Sequence, residues 1–205
     1  MAKSNPCEVN DFFELIKTGL TAFGLRAFHR DDFHHTMVRP LTTAEITSRL
    51  RITDSLPLLS FNADGEPTYL SSRTEQWLNS SHVLYYLCKE DWIFDSYHSR
   101  LEKHLVAIAP VVADSAGGEG KVLFWLYYPE WEGLFALFGN GASHNGHTLS
   151  YKDLFNKQYF RSGISKERNL YKRDIHQYRH GDDALLESEM IKERIRNMES
   201  DLFQH

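Results

Sequence analysis

Apolar residues near the start of the chain recur at steps of three and four: Val9, Phe12, Phe13, Ile16, Leu20 and Phe23. That spacing predicts an amphipathic helix over 9–28, with Asn10 as its N-cap. His29 to Pro40 reads as a connecting segment. Thr42-x-x-Glu45 then forms a capping box for a second helix running through Leu50 and Ile52. From Leu58 to Ser71 two short apolar runs flank Asp64-Gly65, the strongest short-range signal for a β-hairpin. A helix is predicted over 73–79, ending on Trp77 and Leu78. His82 to Cys88 fits a buried strand or a helix, and periodicity alone leaves both open. Glu90 to Leu105 is predicted as a helix with Trp92, Ile93, Tyr97, Leu101 and either His104 or Leu105 inward. Strands are predicted at 106–113, 122–128 and 134–138, with a turn at 115–120. The sum is an α+β fold whose antiparallel sheet has about five strands, crossed by helices between its second and third. A glycine-rich loop at 139–147 precedes three helical stretches, 151–160, 165–179 and 183–203, so a boundary is expected near 148.

In this order the chain resembles the PAS family over about residues 43–140. The features that carry the resemblance are the lead-in helix, the Phe61-x-x-Asp64-Gly65-x-x-x-Tyr69-Leu70-Ser71 hairpin, and the Trp77-Leu78 pair. Lys89-Glu90-Asp91-Trp92 and the turn Gly117-Gly118-Glu119-Gly120 before Val122-Leu123-Phe124-Trp125 add to it. The resemblance implies a PAS-like core over 42–147 with helices on one side of the sheet, an N-terminal helical cap over 1–41 and a C-terminal helical extension over 148–205. It further implies a regulatory sensor module, usually dimeric, that binds a small ligand or a partner and signals through its terminal helices. Phe61, Tyr69, Trp77, Tyr85, Trp92, His98 and Trp125 would line the ligand pocket, within an aromatic core that also holds Phe124 and Tyr127. In haem-binding relatives a histidine on the helix before the third strand holds the iron, a region where this chain has His98 and His104. Six residues apart, these two fall on different helical faces, so at most one points inward. Flavin photoreceptors need an Asn-Cys-Arg-Phe type motif, and Tyr86-Leu87-Cys88-Lys89 does not supply it. Haem and flavin stay open as cofactors without being favoured.

Composition narrows the class. With 205 residues, 41% hydrophobic and 25% charged, the chain has the makeup of a soluble globular protein. Its net charge of −5 gives the whole molecule no general attraction to nucleic acid or anionic lipid. Cys7 and Cys88 make no disulfide framework, which points to a reducing cytoplasm. Met1 to Ser4 have no apolar core behind a basic start, and Glu8, Asp11 and Glu14 interrupt the next stretch, an arrangement unlike a signal peptide. No uncharged apolar run approaches the ~18 residues of a membrane span. Eleven histidines stand out, since imidazole suits metals, haem iron and proton transfer. Without a geometry they read as surface residues, and no metal site is assigned.

Other constellations test poorly against the chemistry they suggest. Asp114 to Lys121 has Ser115 where a phosphate loop needs glycine and Val122 where it needs Ser or Thr, and it leads into a strand, not a helix. Its Asp114…Glu119-x-Lys121 pattern resembles metal-dependent nucleases only faintly, and a hairpin turn explains it. Gly141-Ala142-Ser143-His144-Asn145-Gly146 misses a nucleophile elbow at Asn145. His144 and His147 lack an evident third metal ligand.

Residues 157–180 carry a net charge of +5 interleaved with Tyr159, Phe160, Tyr171 and Tyr178, a small nucleic-acid-like signature. Within it Arg173, His176 and His180 stand at i, i+3 and i+7, one face of the predicted helix. This arrangement resembles the HEPN ribonucleases over eight residues, and it would make those three the catalytic set of an RNA-directed phosphodiesterase. The alternative lies next door: 182–205 carries −4, so a basic and an acidic helix can neutralise each other. Ala184, Ser188, Ile191, Ile195, Met198 and Leu202 alternate steps of four and three, a coiled-coil seam suited to docking or to a homodimer through the terminal helices. The sequence therefore reads as a cytoplasmic PAS-like sensor with a protein partner. The RNA enzyme and a ligand-free interaction or inhibitor protein stand as alternatives.

Overall fold

A computed structural model describes residues 11–30, 37–61, 67–95, 97–98, 100–113, 120–144, 147–169 and 173–202. The chain is α+β with antiparallel sheets, as its patterning predicts. It divides into two compact units, one formed by 1–89 and 105–153, the other by 90–104 and 154–205.

In the first unit, helix α1 (Phe12–Thr21) is capped by Asp11, whose carboxylate accepts the Phe13 N–H at 2.9 Å. Its Phe13, Leu15, Ile16 and Leu20 are buried as the periodicity requires, but Phe23 lies beyond the helix and is exposed. Helix α2 (Thr43–Arg49) starts on the predicted Thr42/Glu45 capping box. Hydrogen bonds from Thr42 hold the Glu45 carboxyl below its usual range, the backbone bond first and the side-chain bond second. Strands β1 (Arg51–Phe61) and β2 (Pro67–Trp77) form the predicted hairpin, in register from Arg51↔Trp77 to Phe61↔Pro67. The Asp64-Gly65 turn lies outside the described residues.

The predicted helix over 73–79 is instead the end of β2. Pairing with β1 continues to Trp77, and Ser71, Ser72 and Thr74 favour an extended ladder over a helix. Strands β3 (Val83–Asp95) and β4 (Arg100–Val112) replace the predicted helix over 90–105. Asp95 is the physical cause: its carboxylate accepts the N–H groups of Tyr97 and His98 at 2.9 and 3.2 Å and reverses the chain. Short strands β5 (Lys121–Val122) and β6 (Leu126–Tyr127) both pair with β4, at Val111↔Val122 and Ile108↔Leu126. Among the described residues the strands thus form sheets of two, four and two, not one sheet of five.

The predicted strand over 134–138 lies in helix α3 (Tyr128–Leu137), which opens with Pro129 and buries Trp131, Leu134 and Phe135 at helical spacing. The glycine-rich loop is a hairpin of β7 (Gly139–His144) and β8 (His147–Ser150), with His144 opposite His147. Helix α4 (Tyr151–Asn156) comes directly after β8.

Phe28 and Trp125 exchange backbone hydrogen bonds of 2.8 and 3.0 Å and pack with Ala107 and Ala109 of β4. Phe12 stacks within 5.1 Å of Tyr86, Phe135 and Tyr151. Burial raises the phenol pKa of Tyr86 and Tyr151 and moves that of Tyr128 to about 12; the charge of Asp11 adds to the first two.

In the second unit, the described residues of the predicted helix over 165–179, namely 165–169 and 173–179, hold no α-helix. Asn169 captures the backbone of Arg173, accepting its N–H at 3.0 Å and donating to its carbonyl at 2.7 Å. Such side-chain bonds compete directly with the helical ladder. The described residues on either side form an irregular strap that includes a 3₁₀ turn (Ile175–Gln177). It lies on helix α5 (Asp182–Leu202), where Ile175, Ala184 and Ile191 form a small core with Ile164, Tyr178 and Ile195. The Ser188 hydroxyl, buried in this contact, accepts the Ile164 N–H at 2.8 Å.

Candidate interaction surface

The end of the β3–β4 hairpin, residues 90–104, is an arm rich in exposed apolar surface. Alternation along a strand puts Trp92 and Phe94 on one face and Ile93 on the other. All three are open to solvent, at 42%, 46% and 53%, and Tyr97 at the tip is 89% exposed. A run of this kind on a strand is unusual in a surface that meets only water. The tip is held by its own hydrogen bonds: Asp95 accepts two backbone N–H groups and sits 2.6 Å from Nδ1 of His98. These bonds, led by the His98 side chain, hold the Asp95 carboxyl below its ordinary range. Trp92 donates its indole N–H to Glu90 at 3.2 Å, and the Lys103 ammonium lies 5.1 Å from its ring. Within the sheet, among the described residues, β3 pairs with β4 alone and forms an edge.

Helix α5 offers a second surface. Its Ala184, Ser188, Ile191 and Ile195 face the strap, while Leu186, Met190 and Met198 are exposed with Glu193, Arg194 and Asn197 among them. The predicted seam is therefore used internally at its first four positions, and Met198 falls outside the contact.

The residues predicted to line a ligand pocket scatter over different environments. Trp125 is a core residue whose indole N–H donates to the Arg30 carbonyl at 3.2 Å. Trp77 is half exposed, with the Arg51 guanidinium 4.9 Å from its ring. Tyr85 is exposed on β3; Trp92 and His98 belong to the arm. Phe61 and Tyr69 are placed by register alone, the latter opposite Leu59. His98 and His104 lie on a hairpin, not on a helix, and both are exposed, so the haem-ligand geometry of the resemblance is absent here. Among the described residues no group of three His, Cys, Asp or Glu side chains is placed to hold a metal.

Arg173, His176 and His180 do not share a helical face, because Asn169 breaks the helix that would have aligned them. His176 is in the 3₁₀ turn and His180 precedes α5, both exposed. The Arg173 guanidinium lies 5.7 Å from the Tyr178 ring. The charges of this region pair among themselves, Lys166 with Asp174 at 2.8 Å, Arg194 with Glu167 at 2.6 Å and Arg179 with Glu187 at 3.3 Å. Asp114 to Glu119, and Asn145 and Gly146, lie outside the described residues.

Ile93, Phe94 and Tyr97 are the surface residues that sequence patterning misplaces or passes over. The signal that could have found them is the Asp95-x-Tyr97-His98 turn, which forbids a helix through the aromatic run.

Comparison with known protein families gives the class first: a gliding-motility associated protein of α+β fold. The chain belongs to the GldN family, whose model, described as gliding motility associated protein GldN, matches residues 6–204. Curated proteins gave no match. Family membership overturns the PAS resemblance and, with it, the sensor, regulatory and ligand-binding readings, and nothing in it supports the RNA-directed alternative. It also corrects the cytoplasmic location, since the family is a component of gliding motility and type IX secretion, typically periplasmic or associated with the envelope. Two cysteines without a framework do not distinguish these compartments. The family works within a multiprotein secretion and gliding complex, in keeping with the expected protein partner. Among the described residues no helix is long and apolar enough to cross a membrane.

Proposed function

We propose that the chain is a subunit of the gliding and secretion assembly that works by contact with other proteins. The observation that carries this is the arm at 90–104, whose exposed Trp92, Ile93, Phe94 and Tyr97 match the aromatic content of protein–protein hot spots. Aromatics such as Phe23, Trp77 and Tyr159 are exposed elsewhere, and Trp131 and Phe135 are fully buried, but the arm gathers four exposed large apolar side chains between Trp92 and Tyr97. The test is sedimentation of the tagged full-length chain from gently solubilised cell envelopes. Migration with a high-mass assembly is the expected result, and migration as a free chain overturns the proposal.

A second contact, a homodimer through α5, is favoured by the outward stripe of Leu186, Met190 and Met198. Light scattering on the purified chain would give twice the monomer mass, reduced to the monomer by Leu186→Asp with Met190→Asp. A monomeric parent chain removes this reading and leaves the first intact.

A further inference from the structure

We infer that the arm inserts into an apolar cleft with a basic rim on another protein of the assembly, a conclusion that rests on the assembly reading above. Two observations fix the chemistry of the occupant. The first is that apolar side chains leave both faces of one strand, Trp92 and Phe94 on one side and Ile93 on the other. A flat surface can cover one face of a hairpin; a cleft covers two. Burying the second face also removes more apolar area from water.

The second observation is charge. Residues 90–104 hold Glu90, Asp91, Asp95 and Glu102 against Arg100 and Lys103, a net charge of −2. Both cations are engaged inside the arm, Arg100 with Glu102 and Lys103 over the Trp92 ring. Asp91, adjacent to Trp92, is exposed and forms no ion pair among the described residues. The surface around the aromatic run is therefore acidic, and the complementary surface is basic. The same carboxylates oppose insertion into a lipid bilayer, where Asp91 and Asp95 would enter the apolar layer beside Trp92 and Phe94. A net negative arm is also repelled by anionic headgroups. The occupant is a protein.

The experiment uses the tagged full-length chain in the native assembly and reads the fraction that sediments with it. Trp92→Ser with Phe94→Ser is expected to lower that fraction about tenfold or more, the scale of losing hot-spot aromatics. Ile93→Ser alone lowers it as well, because the opposite face is also buried. Asp91→Lys lowers it, and Asp91→Asn makes the remaining association less sensitive to sodium chloride. Unchanged retention of Ile93→Ser means a flat contact and overturns the cleft; unchanged retention of Asp91→Lys overturns the basic rim. Co-sedimentation of the purified chain with vesicles of phosphatidylethanolamine and phosphatidylglycerol, lost in the Trp92→Ser, Phe94→Ser variant, would assign the arm to membrane and overturn the inference. If the parent chain never sediments with the assembly, the assembly reading itself fails. If the parent does and every arm variant does too, only the arm is refuted. All replacements are at exposed positions, and an unchanged circular-dichroism melt verifies that each variant is folded.

Discussion

Gly19 of α1 lies against Trp131 of α3 so closely that a Cβ atom on it would stand 2.4 Å from the indole Cζ3 and 2.9 Å from Cδ2 of Leu134. Alanine is the better helix former by about 1 kcal/mol, so propensity alone argues that Gly19→Ala stabilises. Overpacking a fully buried tryptophan costs about 1–3 kcal/mol and decides the sign. Gly19→Ala is expected to lower the unfolding free energy by up to about 2 kcal/mol. Urea denaturation measures it, and a gain in stability would show that the helices separate without strain.

Ser188 provides a similar test in the second unit. Its buried hydroxyl accepts the Ile164 N–H at 2.8 Å, and Ser188→Ala leaves that N–H without an acceptor. The expected cost is about 1–3 kcal/mol. Faster amide exchange at Ile164 and along the strap should accompany it, while α1 and α3 keep their protection. Uniform loss of protection throughout the chain would mean that the two compact units unfold as one.

Alkali should unfold the protein through its tyrosines. Tyr86 and Tyr151 are raised above the ordinary value near 10 and Tyr128 to about 12, all chiefly by burial. A raised folded pKa contributes stability that is complete below pH ~10 and is lost as pH rises towards the folded value. Stability is therefore expected to be flat with respect to these groups at neutral pH and to fall from about pH 10 upward. Absorbance at the tyrosinate band checks this: Tyr86, Tyr128 and Tyr151 are expected to ionise together with unfolding. Smooth ionisation of these three while the chain stays folded would argue against the desolvation that raises them.

The arm should tolerate polar replacement in isolation. Trp92→Ser with Phe94→Ser changes two exposed side chains and is expected to shift the stability of the purified chain by less than about 0.5 kcal/mol per site, apart from the lost Lys103–Trp92 contact. Its solubility should rise. A large drop in the melting temperature would mean that these aromatics serve packing and not contact.

Where one face of an element is wet, the sequence is readable. Phe13, Ile16 and Leu20 announce α1, the Thr42/Glu45 box announces α2, and the acids at Asp182 and Asp183 open α5 at its observed start. The arm is misread for a physical reason. Apolar residues on both faces erase the two-residue alternation of a strand, and Trp92, Ile93, Tyr97 and Leu101 then imitate a helical period. The strap is misread because a single Asn169 side chain outcompetes the local helix, a contact invisible to periodicity. Leu134 to Phe138 is ambiguous because five residues cannot distinguish a strand from the end of a helix that begins at Tyr128. In the arm itself, Trp92 and His98 stand out in the sequence as pocket residues, whereas Phe94 does not stand out at all. The role in gliding and secretion comes from the family, and no motif in the chain spells it out.

The second unit is assembled from two stretches that residues 105–153 separate in sequence. During synthesis its first stretch, with Trp92, Ile93 and Phe94, leaves the ribosome well before Ala184 and Ile191, which complete the unit's small core. At about 5–20 residues per second that interval lasts several seconds. Throughout it the exposed aromatic run stands on a hairpin whose unit is not yet complete. The run proposed to bind a partner in the finished protein thus exposes the nascent one to capture by the wrong partner, and a chaperone that shields aromatic hairpins would govern its yield.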